Sequence, residues 1–282
     1  LVGGCKENTD KILKYYFKSL KLNPNIVVFP ELSITGYPPQ DLLFDNDFIK
    51  YNLECVEKIG RKSTTPIIFG FVREGDNGVL YNSAAVCYNG LLQNTYDKTL
   101  LPSYDVFDET RYFTKGVNRE IIEIPYNNRT LKIGLQICED LWDTNYNCKV
   151  TDKQHNLGAD LFINISSSPF SLGKTNERIK LIKQKVNRYN KPFIYCNMVG
   201  GQDELIFDGS SLAFNQNSEL VANGISFKED VILVDFKEKQ IATQFTSEPE
   251  EEQLFKALCL GVKDYFKKTG HKEAVLGLSG GI

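Results

Sequence analysis

The stretch Arg129–Asp143, RTLKIGLQICEDLWD, runs from alternating apolar residues into a cysteine with two carboxylates directly behind it. Ile133, Leu135 and Ile137 alternate with Lys132, Gly134 and Gln136, the period of a half-buried strand. Cys138 falls where that strand should end, and Glu139-Asp140 suit the first turn of whatever follows. A thiol at a strand terminus is held rigidly and can still face a cleft, as a nucleophile must. The competing reading is a structural cysteine buried for its apolar character. The choice between them rests on the rest of the chain.

Working outward, the same arrangement recurs. IVVF (Ile26–Phe29) reads as a fully buried strand and is followed by Pro30-Glu31. The strand LLQNTYDK returns from the Asn89-Gly90 hairpin and ends at Lys98. Glu31, Lys98 and Cys138 thus stand at the ends of three predicted strands. A charge near a core costs several kcal/mol unless paired, so three complementary groups in such places suggest one shared pocket. There Glu31 and Lys98 would offset each other and favour a thiolate. Glu31 would take the thiol proton, Cys138 would attack a carbonyl or nitrile carbon, and Lys98 would stabilise the developing charge. On spacing alone, three unrelated salt-bridged residues remain an alternative. A cysteine–histidine dyad is the rival chemistry. The two histidines, His155 in a predicted helix and His271 far downstream, are poorly placed for it.

The element pattern mixes βα units with consecutive hairpins. Helices are predicted from Asn8 or Thr9 to Leu20, and over 47–61, 147–157, 175–189 and 253–268. Further strands are predicted over 66–72, 80–88, 120–125, 159–165, 192–200, 205–214, 220–223, 231–236 and 274–278. Thr99–Gly116 is aromatic and aperiodic, a long structured loop. Helices covering only one face of a sheet leave the other face needing a second sheet. An α/β four-layer αββα sandwich is therefore expected over 1–240, with a charged linker over 241–252. The helix and strand of 253–282 would begin a second unit.

Composition narrows the function classes. The chain has 282 residues, 41% hydrophobic and 24% charged, with a net charge of −3. That describes a soluble globular protein with no basic footprint for nucleic acid. No apolar run approaches membrane-spanning length and no charged-then-apolar stretch opens the sequence, so neither a membrane span nor a leader is expected. Seven scattered cysteines form neither a disulfide framework nor a metal-ligand pattern, which suggests a reducing, cytoplasmic compartment and no metal. The chain opens LVGG without methionine and stops at LGLSGGI, so it is expected to be a fragment with part of its function beyond Ile282.

FPELSITGYPPQDLL, YDKTLLPSYDVFDETRYF and LQICEDLWD resemble the three catalytic blocks of the nitrilase, or carbon–nitrogen hydrolase, superfamily. Their wording is similar to that of the glutaminase domains in the glutamine-dependent NAD⁺ synthetase family, over roughly residues 1–245. The resemblance implies a Glu31–Lys98–Cys138 triad on an αββα sandwich. It adds Glu109 as a further acid positioning the lysine and the attacking water, with a loop salt bridge to Arg111 as its plainer role. It implies glutamine contacts from Tyr104, Ser168 and Lys174, the serine register being open between Ser166, Ser167 and Ser168. Aromatic packing and a helix entry are the plainer readings of these three. It implies no cofactor for the glutaminase part and commonly a homo-oligomer. It also implies a first strand ahead of Val2-Gly3-Gly4, without which a sheet edge would be exposed.

The tail LGLSGGI resembles the opening of the SGGxDS loop of ATP pyrophosphatases, a Rossmann-like domain, and its Gly277, Leu278, Ser279, Gly280 and Gly281 would approach a phosphate. The resemblance then implies ATP, Mg²⁺ and deamido-NAD⁺ as partners of the longer enzyme, with no competent ATP site in a chain lacking the Asp-Ser. Two alternatives stay open: an amidase or carbamoylase of the same fold acting on another small amide, and a non-catalytic scaffold domain.

Overall fold

The computed structural model describes residues 1–117, 120–236, 248–278 and 280. Among them two sheets face each other. The first has the order β1-β2-β3-β4, built from β1 (Val27–Val28), β2 (Ile67–Glu74), β3 (Leu80–Tyr88) and β4 (Leu91–Asp97). The second comprises β5 (Ile122–Tyr126), β6 (Arg129–Ile137), β7 (Leu161–Ser166), β8 (Phe193–Asn197), β11 (Leu212–Phe214) and β12 (Leu220–Asn223), in the order β12-β11-β8-β7-β6-β5. A small hairpin of β9 (Val199–Gln202) and β10 (Leu205–Asp208) stands apart.

The alternation of side chains along each strand makes the layers. On β2, Ile67, Phe69 and Phe71 pack under α1 (Cys5–Leu20) and α2 (Asn46–Lys62), against Ile12, Leu13, Tyr16, Val56 and Ile59. Ile68 between them faces the other way and joins Ala84, Val86, Ile133, Leu135, Ile137, Ile163 and Ile165 in the core between the sheets. On the far side Phe162, Phe193 and Phe214 pack beneath Leu181, Ile182 and Val186 of α4 (Lys174–Tyr189). The expected αββα order is therefore the observed one.

Local chemistry sets the turns and ends. Asn89-Gly90 and Asn127-Asn128 join their strands with positive φ at both residues, 53° and 79°, then 45° and 61°, as two-residue hairpins require. Asp45 caps α2 by accepting from the amides of Asp47 and Phe48 at 2.9 and 3.3 Å.

Several expectations are corrected. The first helix begins at Cys5, so Asn8 is no cap; it is buried inside α1 and donates to the Ile34 carbonyl at 2.8 Å. The third predicted helix is shorter, α3 (Val150–Asn156). The single strand expected over 205–214 is two strands in different sheets, because Gly209 and Ser210 take φ of 69° and 49° and turn the chain. The 192–200 run likewise divides between β8 and β9. No strand forms at 231–236, where the Val231 amide bonds its neighbour Asp230 at 2.7 Å instead of a ladder partner.

Of the expected linker, residues 241–247 lie outside the described residues. Glu250–Glu252 form the first turn of α5 (Glu250–Thr269), where three carboxylates meet the positive end of the helix dipole. That helix leans on the β9–β10 hairpin, with Ala257 buried and the Asp264 carboxylate accepting from the Gly201 amide at 2.8 Å. The strand expected at 274–278 is not formed; Val275, Leu276 and Leu278 are exposed with no sheet partner among the described residues. No helix among the described residues is long and apolar enough to cross a membrane.

Candidate active site

Glu31 follows β1, and its backbone lies directly on β2 at Gly70. A Cβ at residue 70 would come within 2.0 Å of the Leu32 nitrogen, so only glycine admits this approach. Lys98 is the first residue past β4, its amide donating to the Asn82 carbonyl at 2.8 Å. Cys138 is the first residue past β6 and takes a φ of 43°, a left-handed conformation that costs a non-glycine residue roughly 1–2 kcal/mol. The loop after Lys98 bends back through a short 3-10 turn at Glu109–Arg111 and turns Glu109 inward.

Three of these side chains meet, and their charges act on the thiol of the fourth. The Lys98 ammonium donates to Glu31 Oε1 and Glu109 Oε1, each at 2.7 Å. All three groups are at most 5% exposed. Asn82 Nδ2 donates to Glu31 Oε1 at 2.8 Å and reaches Glu109 Oε2 at 3.5 Å. The Tyr37 hydroxyl donates to Glu109 Oε1 at 3.0 Å. The Ser167 amide donates to Glu31 Oε2 at 2.7 Å. Three donors thus hold the Glu31 carboxylate, two on Oε1 and one on Oε2, which fixes it in place and leaves acceptor capacity on Oε2.

Burial opposes the charge on Lys98, but the Glu109 and Glu31 carboxylates outweigh it and hold its pKa well above the ordinary lysine value. Burial raises Glu109 to about 7; Lys98 pulls it down, Glu31 pushes it up, and bonds from Lys98 and Tyr37 lower it again. The Cys138 thiol is pushed well above its usual range, first by burial and then by the Glu31 carboxylate, with Lys98 in opposition. This runs against the expectation of a favoured thiolate: desolvation outweighs the single lysine and favours the neutral thiol. A base is needed to activate it, and Glu31 is a carboxylate whose field acts on that thiol.

The two residues behind Cys138 divide their work. Asp140 is fully buried; its Oδ1 accepts from the amides of Thr99 and Leu100 at 3.1 and 2.9 Å. Its Oδ2 accepts from the Tyr96 hydroxyl at 2.8 Å and the Ile137 amide at 3.0 Å. Burial raises its pKa to about 6, against the pull of the Ile137 and Leu100 amides and the Tyr96 hydroxyl. Glu139 is buried beside the thiol and accepts from the Tyr104 and Tyr146 hydroxyls at 2.9 and 2.8 Å. Among the described residues no lysine or arginine pairs with it. The sequence reading left Glu139 as a turn residue; it is a carboxylate with free acceptor capacity at the edge of the site.

The other expected residues are distributed unevenly. Tyr104 is half exposed and reaches the site through Glu139. Ser168 is buried; its amide donates to Asn197 Oδ1 at 2.9 Å, and its carbonyl and hydroxyl accept from Arg178 at 3.0 and 3.1 Å. Of the three serines, Ser167 is the one bonded to Glu31. Lys174 opens α4, pairs with Glu177 at 3.0 Å and sits 4.2 Å above the Trp142 ring, in the same short helical run as Cys138. Arg111 pairs with Asp41, not with Glu109.

His155 packs on Tyr189 and His271 on Tyr265, both away from these groups. Asn82, Tyr37 and Tyr146 were not anticipated. A polar Asn82-Ser83 pair inside the buried run LYNSAAVCY was the one signal for the first. No group of three or more His, Cys, Asp or Glu among the described residues could hold a metal ion. In the tail, Ser279 and Gly281 lie outside the described residues. Gly277, Leu278 and Gly280 form no strand-to-loop cradle, and nothing stands within 4 Å of a would-be Cβ at either glycine. The described residues therefore do not fit a nucleotide phosphate.

An αββα sandwich with an acid, a lysine and a cysteine at its converging strand ends defines a class of enzyme that cleaves carbon–nitrogen bonds. The family model for carbon–nitrogen hydrolases matches residues 5–244, and the chain belongs to that family. The whole chain is 36% identical to a glutamine-dependent NAD(+) synthetase of Synechocystis and 33% identical to one of Acinetobacter baylyi, covering 53% and 51% of them. The chain thus spans about half the length of these curated relatives. The solved structure of glutamine-dependent NAD⁺ synthetase from Acinetobacter baumannii with ADP superposes with a TM-score of 0.88. It is 32% identical, over 95% of this chain and 50% of that one. An amidase of the nitrilase superfamily from Nesterenkonia shares the fold, with a TM-score of 0.68 at 16% identity over 80% of this chain and 83% of that one.

Proposed function

We propose that this chain is the glutamine amidohydrolase half of a glutamine-dependent NAD⁺ synthetase. The observation that carries the chemistry is the Lys98 ammonium held at 2.7 Å by both Glu31 and Glu109 beside a buried thiol. Glu31 takes the Cys138 proton as sulfur bonds to the side-chain amide carbon of glutamine. Lys98 stabilises the oxyanion that forms. The carbon–nitrogen bond breaks as Glu31 returns the proton to the leaving nitrogen, and ammonia departs from a glutamyl thioester. Water, deprotonated by Glu31 and positioned with Glu109, adds to the thioester. The thiolate leaves and recovers the proton. The sum is glutamine and water to glutamate and ammonia.

The substrate reading is supported by the Synechocystis and Acinetobacter relatives and by Glu139, whose carboxylate meets no lysine or arginine among the described residues and suits the α-ammonium group of an amino acid. Tyr104, Ser168 and Lys174 are assigned to the same substrate, the last two to its α-amino and α-carboxylate end. Residues 1–240 are assigned to the hydrolase unit, 241–252 to a linker and 253–282 to the start of a synthetase unit. In the longer enzyme the ammonia would amidate deamido-NAD⁺ with ATP and Mg²⁺, in the cytoplasm and in a homo-oligomer. No step through ATP is derived for this chain.

The test is Cys138→Ala in the longer protein. NAD⁺ formation from glutamine is expected to stop while formation from ammonium continues; glutamine use by the variant would show the nucleophile to be wrong. Faster turnover of simple aliphatic amides than of glutamine would favour the amidase reading instead.

A further inference from the structure

Lys98 and Cys138 belong to different sheets, and the chemistry depends on the distance between them. Packing between two sheets tolerates small slips, whereas an ammonium must meet a developing oxyanion within a few tenths of an ångström. One side chain bridges the two backbones on either side of this gap. The Asp140 carboxylate accepts from the amide of Thr99, the residue after Lys98, and from that of Leu100 next to it. Its other oxygen accepts from the amide of Ile137, the residue before Cys138, and from the hydroxyl of Tyr96 on β4. Four donors converge on a side chain with no solvent exposure. The same bond to Ile137 braces the turn in which Cys138 holds its positive φ.

We propose that Asp140 is a positioning residue that clamps the Lys98 strand exit to the Cys138 elbow and so sets the alignment of ammonium and thiol. It touches neither substrate nor reacting atoms. Asparagine would keep the shape and could still accept from Thr99 and Leu100, but its NH₂ group would confront the Ile137 amide, donor against donor. The expected result is a misaligned thiol in a folded protein. The proposal rests on the amide-hydrolysis reading only for its turnover assay.

Asp143 supplies the control. It is equally buried in the same helical run, but it binds Lys185 and the Thr151 amide and touches neither exit. Asp140→Asn, Asp143→Asn and Tyr96→Phe would be compared with the parent chain. The readouts are thermal unfolding, kcat and KM for glutamine hydrolysis, and the iodoacetamide alkylation rate of Cys138 followed by peptide mass spectrometry. Asp140→Asn should lose at least thirtyfold in kcat with KM within threefold, and its Cys138 should alkylate at least tenfold more slowly. Asp143→Asn should lower the melting temperature at least as much yet keep kcat and alkylation within threefold.

A kcat for Asp140→Asn within threefold of the parent overturns the proposal. So does an equal loss in Asp143→Asn, which would mark general destabilisation. If Asp140→Asn fails to fold, Tyr96→Phe decides. Removing one of the four bonds should cost three- to tenfold in kcat at unchanged KM, and parental kcat refutes the clamp. If the parent does not hydrolyse glutamine, the substrate reading fails, while the alkylation ratio still tests Asp140.

Discussion

Replacing Lys98 with methionine removes the one cation from a buried cluster that holds two carboxylates. Lys98 is 1% exposed and its partners 0% and 5%, so water cannot take its place. Removing one partner of such a pair costs about 3–5 kcal/mol, a large share of an ordinary folding free energy of about 5–15 kcal/mol. The loss should depend on pH in a definite direction. In the parent, burial raises Glu109 to about 7, and Lys98 is the largest influence holding it down. Without the ammonium its pKa rises further. Above pH 7 the unfolded chains and the native parent carry no proton on Glu109, but the native variant still does. Its stability relative to the parent must then fall with rising pH, by about 1.4 kcal/mol per pH unit until Glu109 finally ionises. Below pH 6 both native states are protonated there and the deficit should level off. Urea unfolding at pH 6.0, 7.0, 8.0 and 8.5 measures it. A deficit that is the same at pH 6.0 and 8.5, or below about 1 kcal/mol throughout, would refute the claim that Lys98 neutralises a dry carboxylate pair.

Tyr37→Phe deletes a hydroxyl that donates to Glu109 at 3.0 Å and lowers its pKa. Since Glu109 must be ionised to help hold Lys98, the acidic limb of kcat/KM for glutamine should move upward, and an unmoved or lowered limb counts against this role. Gly70→Ala would place a methyl group 2.0 Å from the Leu32 nitrogen, against backbone that cannot swing away. The variant should lose more than about 3 kcal/mol or fail to accumulate, and a parental melting temperature would contradict the close approach at Glu31.

The sandwich was legible in the sequence because its strands are apolar or alternating runs and its hairpins carry Asn-Gly or Asn-Asn. Where a short turn interrupts an apolar run, or an apolar run finds no ladder partner, the expectation fails. Asp208–Ser211 is a polar interruption between LIF and LAF that marks the turn between two sheets, and an unbroken strand over 205–214 passes over it, while the apolar residues of 231–236 imitate a strand although the Val231 amide bonds Asp230. The same holds for the site. Glu31, Lys98 and Cys138 stood out as charged or reactive groups ending apolar runs. Asn82, Tyr37 and Tyr146 serve the site through hydrogen bonds to residues far away in sequence, and no local pattern announces them. Asp140 and Glu139 show the limit most sharply. Adjacent acids behind a cysteine look alike in sequence, yet one is consumed by four donors while the other, facing two tyrosines, keeps room for a ligand.

The charge balance of the cluster explains why carboxylate chemistry suits this buried cysteine. A neutral thiol beside a neutral imidazole must create an ion pair to react, and in a dry pocket that separation is costly. Here the negative charge is already present on Glu31, bound to Lys98. On the proposed mechanism, the thiol proton would move to Glu31 as sulfur attacks, and the charge would pass to sulfur and then to the substrate oxygen. The number of charges inside the pocket stays constant through each step, and Lys98 remains the counter-ion throughout. Glu109 holds the ammonium from the other side, so Lys98 need not follow the departing charge of Glu31. A raised thiol pKa is then no obstacle, because the proton travels only to a carboxylate inside the same cluster. Burial, which would silence a lone cysteine, instead strengthens every contact that guides this one.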